Sequence, residues 1–366
     1  MIIETPHGRY EIFLELVQFE ITGRCNMRCR HCRAWKEPKK DLSIGMIEKV
    51  LEFVIPEACS EIRFTISGGE PFLHPQLFEI LKLIKKKVDD VNDTNNKIIP
   101  HVVITTNGYL VTEEKIKRLE EIGFKKLCVQ VSIDSSNPQK HDTFRSTPGA
   151  FDKAIKAVKL LAESKLVASI RATIIPDTLS EIEDLILLAK KYGVKRIGFG
   201  SVIPTGKGKL NPSLIFTPLQ KKLFLEMVSK YKLKYPEIEI VTEDPLKFAI
   251  SPKVWDFGNF DYRNPAFRGG CTAGITMINV RSDGTITPCS MLLIPIVNIK
   301  NKPPQEILKA YTSSKIIHKL VERKVKGKCA QCKLKRLCGG CRAAAEGING
   351  DYLAEDPSCW KKIAKV

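Results

Sequence analysis

No run of 18 apolar residues occurs in the 366-residue chain, so no segment reads as a membrane-spanning helix. The N-terminus carries no apolar h-region of a secretory signal. These two absences predict a soluble, cytoplasmic protein without a membrane partner. No stretch interleaves aromatics with a basic stripe, which leaves nucleic acid without a stacking platform. Gly193, Gly198 and Gly200 lack the spacing of a dinucleotide-binding fingerprint. Acidic residues are the minority, 41 against 59 lysines and arginines, for a net charge of +18. Such a balance reads as a solvated lysine-rich surface, or as attraction for an acidic partner: a carboxylate-rich substrate, an acidic peptide or an acidic electron donor.

Cysteine, by contrast, is abundant. In a cytoplasmic chain, twelve cysteines point to metal or redox chemistry rather than to disulfides. Three lie at Cys25, Cys29 and Cys32, and seven lie between Cys271 and Cys359. Cys59 and Cys128 stand alone and read as buried structural thiols.

The first group has the spacing C-x3-C-x2-C and follows an alternating run, Val17 to Thr22, that reads as a strand. Three thiolates on one loop can hold three irons of a [4Fe–4S] cluster and leave the fourth iron without a protein ligand. Zinc and unligated thiols are the alternatives, and a structural zinc would call for a fourth ligand. His31, between Cys29 and Cys32, is placed to stack beside a cluster.

From Val17 to about Gly200, strand-like and helix-like segments alternate. The strands are expected at Val17–Thr22, Ile62–Ile66, His101–Thr105, Lys126–Ser132, Ala168–Ile174 and Lys195–Gly200. Helical spacing marks Ile44–Val54, Leu77–Val88, Glu113–Ile122, Ala150–Ala162 and Glu181–Lys191. Six βα repeats predict parallel strands with right-handed crossovers, two units short of a closed eight-stranded barrel. Asp89 to Lys97 is polar and reads as a surface loop. Residues 1–16 form a lead-in, 17–205 the barrel, 206–265 a bridge that includes a helical stretch Thr217–Tyr235, and 266–366 a second, cysteine-rich domain.

Four motifs in this first half carry a resemblance. The cysteine loop, Ser67-Gly68-Gly69-Glu70-Pro71, Thr105 to Gly108 and Val131 to Ser135 all fall just after an expected strand. Together they resemble the radical S-adenosylmethionine (SAM) enzymes, with His31 where that family usually carries an aromatic residue. The resemblance implies an α/β fold with an open, partial (βα)6 TIM-like barrel. It also implies a [4Fe–4S] cluster on Cys25, Cys29 and Cys32 whose open iron binds SAM. A reduced cluster would then cleave SAM to a 5′-deoxyadenosyl radical that abstracts a substrate hydrogen.

Residue roles follow from the same likeness. Gly68 and Gly69 would let the backbone approach SAM, and Glu70 would receive its ammonium group. Ser132 and Asp134 would meet the ribose hydroxyls, and Arg145 the methionyl carboxylate. Asn107 would contact SAM or shape its turn, and Arg171 would face SAM from inside the barrel.

The later cysteines read Cys271-x17-Cys289, then Cys329-x2-Cys332-x5-Cys338-x2-Cys341, then Cys359. Two CxxC pairs five residues apart do not match a zinc ribbon, and close thiolates suit Fe–S clusters better. The array resembles the SPASM extension of radical SAM enzymes, a small α+β domain with up to two auxiliary [4Fe–4S] clusters. By that analogy Cys329, Cys332, Cys338 and Cys359 ligate an outer cluster, and Cys271, Cys289 and Cys341 an inner one. The family's frequent additional cysteine falls on Met277 here, which leaves the inner cluster's fourth iron open or held by another group. The Cys338-Gly-Gly-Cys341-Arg342 ending looks like haem-pathway and mycofactocin-type members.

The leading expectation is a maturase that oxidises or cross-links a peptide or protein. Oxidative decarboxylation or side-chain remodelling of a propionate-rich tetrapyrrole is the second, and the short lead-in counts against a built-in peptide-recognition domain. Reduced flavodoxin or ferredoxin is the expected electron donor. A non-catalytic Fe–S carrier and a nucleic-acid binder are the contrasting classes. An intact GGEP turn argues against both, because neither needs a SAM pocket.

Overall fold

The computed structural model describes residues 1–93, 98–255 and 270–362. Its strands are β1 (Ile2–Thr5), β2 (Gly8–Glu11), β3 (Leu14–Thr22), β4 (Ala58–Gly68), β5 (Ile99–Thr106), β6 (Leu127–Ser132), β7 (Val167–Ile174), β8 (Arg196–Ser201), β9 (Glu239–Val241), β10 (Met277–Val280), β11 (Thr285–Thr287) and β12 (Val297–Asn298). β1 and β2 pair as a hairpin, so the lead-in is structured. The other ten strands form one sheet in the order β12-β11-β10-β3-β4-β5-β6-β7-β8-β9.

Strands β3 to β8 are the six expected, all parallel and in sequence order. Alternate residues such as Val17, Phe19, Ile62, Phe64, Val102, Ile104, Val129 and Ile197 are fully buried, which is what a sheet covered by helices requires. The covering helices include Ile44–Val54, Leu77–Asn92, Glu113–Glu121, Ala150–Ala162 and Ile182–Lys191. Ser43 caps the first by accepting the Met46 N–H, and Thr112 caps the third by accepting that of Lys115.

Three expectations need correction. The helix beginning at Leu77 runs on to Asn92, so Asp89 to Asn92 are helical and not loop; residues 94–97 lie outside the described residues. The segment 206–265 is more than a bridge. Helix Pro218–Lys234 packs on helix Ile182–Lys191, and β9 adds a parallel strand beside β8. Residues 256–269, part of that segment and of the stretch after it, lie outside the described residues.

The third correction concerns the boundary at residue 266. β10 pairs in parallel with β3, Met277 opposite Leu16 and Val280 opposite Phe19. Strands β10 to β12 of the cysteine-rich region therefore extend the barrel sheet. This register also places Met277 in a strand. With β10 on one side of β3 and β9 at the far edge, the sheet does not close into a barrel.

Candidate active site and cysteine array

The loop after β3 carries Cys25, Cys29 and Cys32, of which Cys25 is exposed, Cys29 buried and Cys32 half-buried. The GGEP turn after β4 fastens the start of this loop. The Gly69 N–H donates to the Thr22 carbonyl at 2.7 Å, and the Glu70 N–H to that of Arg24 at 2.8 Å. A Cβ at Gly68 would collide with the Thr22 carbonyl oxygen and one at Gly69 with that of Arg24, and Gly68 holds a φ of +133°. The immediate reason for these two glycines is thus contact with the cysteine loop itself.

Glu70 is 1% exposed and joins two strand ends. It accepts from the Thr106 hydroxyl (2.7 Å), the Asn107 N–H (2.8 Å) and the Phe72 N–H (3.3 Å). Burial raises its pKa above the usual carboxylate range, against the pull of these hydrogen bonds. A carboxylate has about four acceptor positions, so three donors leave room for one more, such as an ammonium group. Asn107 shapes its turn by accepting the Tyr109 N–H at 2.9 Å, and its amide reaches Asn26 of the cysteine loop at 2.8 Å.

The end of β6 gives a second cluster. Arg145 Nε donates to Asp134 at 2.6 Å, and Arg145 Nη1 approaches Cys29 Sγ at 3.8 Å. Asp134 also accepts the Thr173 N–H at 2.9 Å. Burial works against the ionised Asp134, but Arg145, then His141, outweigh it and hold the carboxyl below its usual range. Asp134 and Arg145, expected on the ribose and the carboxylate of SAM, are therefore paired with each other. Ser132 is buried at the last position of β6. Arg171 lies on β7 opposite Ser132, with its guanidinium across Gly198 and Gly200 of β8.

Contacts of His31 and of residues beyond β8 complete the loop. The His31 ring stacks on Phe144 at 4.4 Å and 4°, and burial, reinforced by Arg145, lowers its pKa to about 4. The Lys207 N–H donates to the Cys32 carbonyl at 3.0 Å, and the Asn211 amide to that of Arg30 at 3.1 Å. The only signal for these contacts was the Gly-Lys-Gly composition, which reads equally as a linker. Ser135 of the fourth motif is bound to Glu181, together with the Ser136 N–H at 3.0 Å. His74 and His318, for which the sequence offers no partner, approach the Leu42 and Thr312 carbonyls at 3.2 and 2.7 Å.

The later cysteines gather in two sets. Burial raises the Cys289 thiol to about 12, with Cys271 the next contributor, and Cys271 is likewise the leading charge acting on Cys341. Cys338 is raised first by burial and then by the charges of Asp356, Cys329 and Cys359, while Cys332 acts on Cys329. Cys329, Cys332, Cys338 and Cys359 line one hollow. Backbone N–H groups of Asp356, Leu334 and Gly340 point at Cys329, Cys332 and Cys338, each at 3.4 Å. The buried guanidinium of Arg323 lies in the field of both sets, acting with Cys271 and Cys338. Cys59 and Cys128 are half-buried in β4 and β6 rather than fully enclosed.

Among the described residues no three His, Cys, Asp or Glu side chains converge as ligands of a single metal ion. Thiolates of a four-iron cluster each hold a different iron and stand apart. The donor chemistry fits such clusters: thiols in mutual electrostatic reach, N–H groups on sulfur, and a guanidinium beside Cys29.

An open parallel barrel with a three-thiol loop at its C-terminal mouth defines the class. The profile of the Radical SAM superfamily matches residues 19–189. The AdoMet-dependent heme synthase of Methanosarcina barkeri is 30% identical over 94% of this chain and 95% of its own. The antilisterial bacteriocin subtilosin biosynthesis protein AlbA of Bacillus subtilis is 26% identical over 98% of this chain and 74% of its own. Streptococcus suis SuiB bound to S-adenosylmethionine superposes with a TM-score of 0.72 at 18% identity, covering 95% of this chain and 78% of that one. The chain belongs to the radical SAM superfamily. Membership makes it an enzyme that uses a [4Fe–4S] cluster and SAM. No helix among the described residues is long and apolar enough to cross a membrane.

Proposed function

We propose that this enzyme oxidatively decarboxylates or remodels the propionate side chains of a tetrapyrrole, and that this reading stands ahead of peptide maturation. The observation that carries it is the end-to-end correspondence with a heme synthase at nearly equal length. The barrel supports it, since Arg63 and Arg171 lie on β4 and β7 at positions that alternate with buried apolar ones, and an arginine suits an anionic side chain. Similarity to AlbA favours the second reading, modification of a peptide.

In the proposed site, Cys25, Cys29 and Cys32 hold the cluster whose bound form supplies the electron that cleaves SAM. Arg145 steadies Cys29 and Asp134, and Glu70 offers its remaining acceptor position to the SAM ammonium. Ser132 faces the ribose, and Asn107 holds the turn. Cys271, Cys289 and Cys341 would carry an inner auxiliary cluster, and Cys329, Cys332, Cys338 and Cys359 an outer one. The 5′-deoxyadenosyl radical would take one hydrogen atom from the propionate chain, and loss of CO2, with one electron passed to a one-electron acceptor such as an oxidised Fe–S cluster, would leave a vinyl group. Exposed Arg28, Arg30, Lys36, Lys39 and Lys40 on the cysteine loop suit an acidic electron donor such as reduced flavodoxin or ferredoxin.

The test is anaerobic reconstitution with iron and sulfide, followed by dithionite, SAM and a propionate-bearing iron porphyrin. Expected products are 5′-deoxyadenosine and a porphyrin lighter by CO2 and two hydrogens. Formation of 5′-deoxyadenosine with the porphyrin bound but unaltered would turn the assignment toward a peptide.

A further inference from the structure

Inside the barrel, Arg63 of β4 reaches Glu243, beyond the end of β9, with Nη2 3.2 Å from Oε1. The Glu243 side chain keeps 63% of its solvent contact. On β4, Ile62, Phe64 and Ile66 are buried, so strand alternation puts Arg63 on the opposite face of the sheet from them. Arg171 supplies a second cation from another wall. Its guanidinium lies over β8 where two side chains are missing: a Cβ at Gly200 would stand 2.6 Å from Nη2, and one at Gly198 3.2 Å from Nη1. The charge of Arg63 foremost, then of Arg171, Lys247 and Arg196, holds the Glu243 carboxyl below its usual range. Glu243 directly precedes Asp244, which pairs with Lys221 at 2.6 Å, and Leu246 three residues on lines the outer cysteine hollow. This carboxylate is therefore at the joint between lumen and cysteine array.

We propose that Arg63 and Arg171 form a carboxylate-binding site in the barrel lumen, and that Glu243 occupies it as an internal carboxylate which a substrate propionate displaces. The inference rests on the propionate-bearing substrate proposed above. Exchange of one carboxylate for another keeps the arginines paired before and after, so no cation is stranded in the lumen. The arginine fork suits a planar carboxylate better than a lysine would. Glu243, already largely in contact with solvent, has a route into water when it leaves. An occupant that must be displaced weakens ligand binding by the fraction of time it fills the site. Removing its charge should therefore tighten binding.

The experiment titrates the full chain, without SAM, with a tetrapropionate iron porphyrin and reads its Soret band, using the porphyrin's tetramethyl ester as the control. Arg63→Gln and Arg171→Gln should each raise Kd about tenfold or more, and the wild type should bind the ester as weakly as these variants bind the acid. Glu243→Gln should lower Kd severalfold, a gain that misfolding cannot produce. SAM affinity of Arg171→Gln should equal that of the wild type. Tight wild-type binding that all three substitutions leave unchanged would overturn this site while leaving the tetrapyrrole reading intact. A loss of SAM affinity in Arg171→Gln with porphyrin binding unchanged would return that arginine to SAM and also overturn the site. Failure of the wild type to bind any porphyrin would overturn the tetrapyrrole reading and this site with it.

Discussion

The two cysteine regions solve the same problem in opposite ways. The amino-terminal loop leaves Cys25 exposed and takes its shape from elsewhere: the GGEP turn after β4, Asn107 after β5, Arg145 beyond β6 and Lys207 beyond β8. The carboxy-terminal array has no exposed cysteine and is shaped from within, by backbone N–H groups on its own sulfurs and by Gly339 and Gly340 at positive φ. A site that must admit a cosubstrate keeps one side open and borrows rigidity from the barrel. A thiol array that needs no such opening can be enclosed and shaped by its own backbone.

The largest test of that contrast is Cys29→Ala. It should abolish 5′-deoxyadenosine formation and remove about four irons per chain, while iron bound by the carboxy-terminal array persists. Iron analysis and the product assay check it; loss of all iron would mean that the array depends on the loop. Next, Cys341→Ala should again lower iron by about four per chain but leave SAM cleavage measurable, and only substrate turnover should fail. Full iron content in that variant would remove the inner site from the account.

Arg145→Gln strands buried Asp134, and breaking such a pair costs about 3–5 kcal/mol. Urea unfolding of the full chain should show it. The matching change in the exposed Lys326–Asp351 pair of the array region, Lys326→Gln, should stay within about 1 kcal/mol. Similar costs for both would contradict the view that the loop is locked by a buried charge pair. Smallest is His31→Ala, which loses the stack on Phe144 and about 0.5–1.5 kcal/mol; His31→Phe should recover it.

Sequence patterns located the barrel strands closely because apolar and polar residues alternate along them, as Val17, Phe19 and Ile21 do against Gln18 and Glu20. Helices Ile44–Val54 and Ala150–Ala162 were legible to the residue from their apolar spacing. β9 was not, since three residues with one apolar side chain fully buried carry no period of their own. Helix Pro138–Arg145 was missed for a similar reason: it is mostly polar and buries only His141, Phe144 and Arg145. Site residues divided the same way. The cysteines announced themselves by spacing, whereas the Asp134–Arg145 pair and the Glu70–Thr106 contact join groups 11 and 36 residues apart that no local pattern connects.

The order of residues alone settled the class of chemistry here, because thiolate spacing and strand-end turns are local properties that survive in one dimension. Whether a charged side chain is left to meet a ligand or is already answered by a neighbour was decided only in three dimensions. Glu70, Asp134 and Arg145 look alike as candidates in the sequence, yet folding gives each a partner, and partnership depends on distances that the chain acquires only when its strands lie side by side.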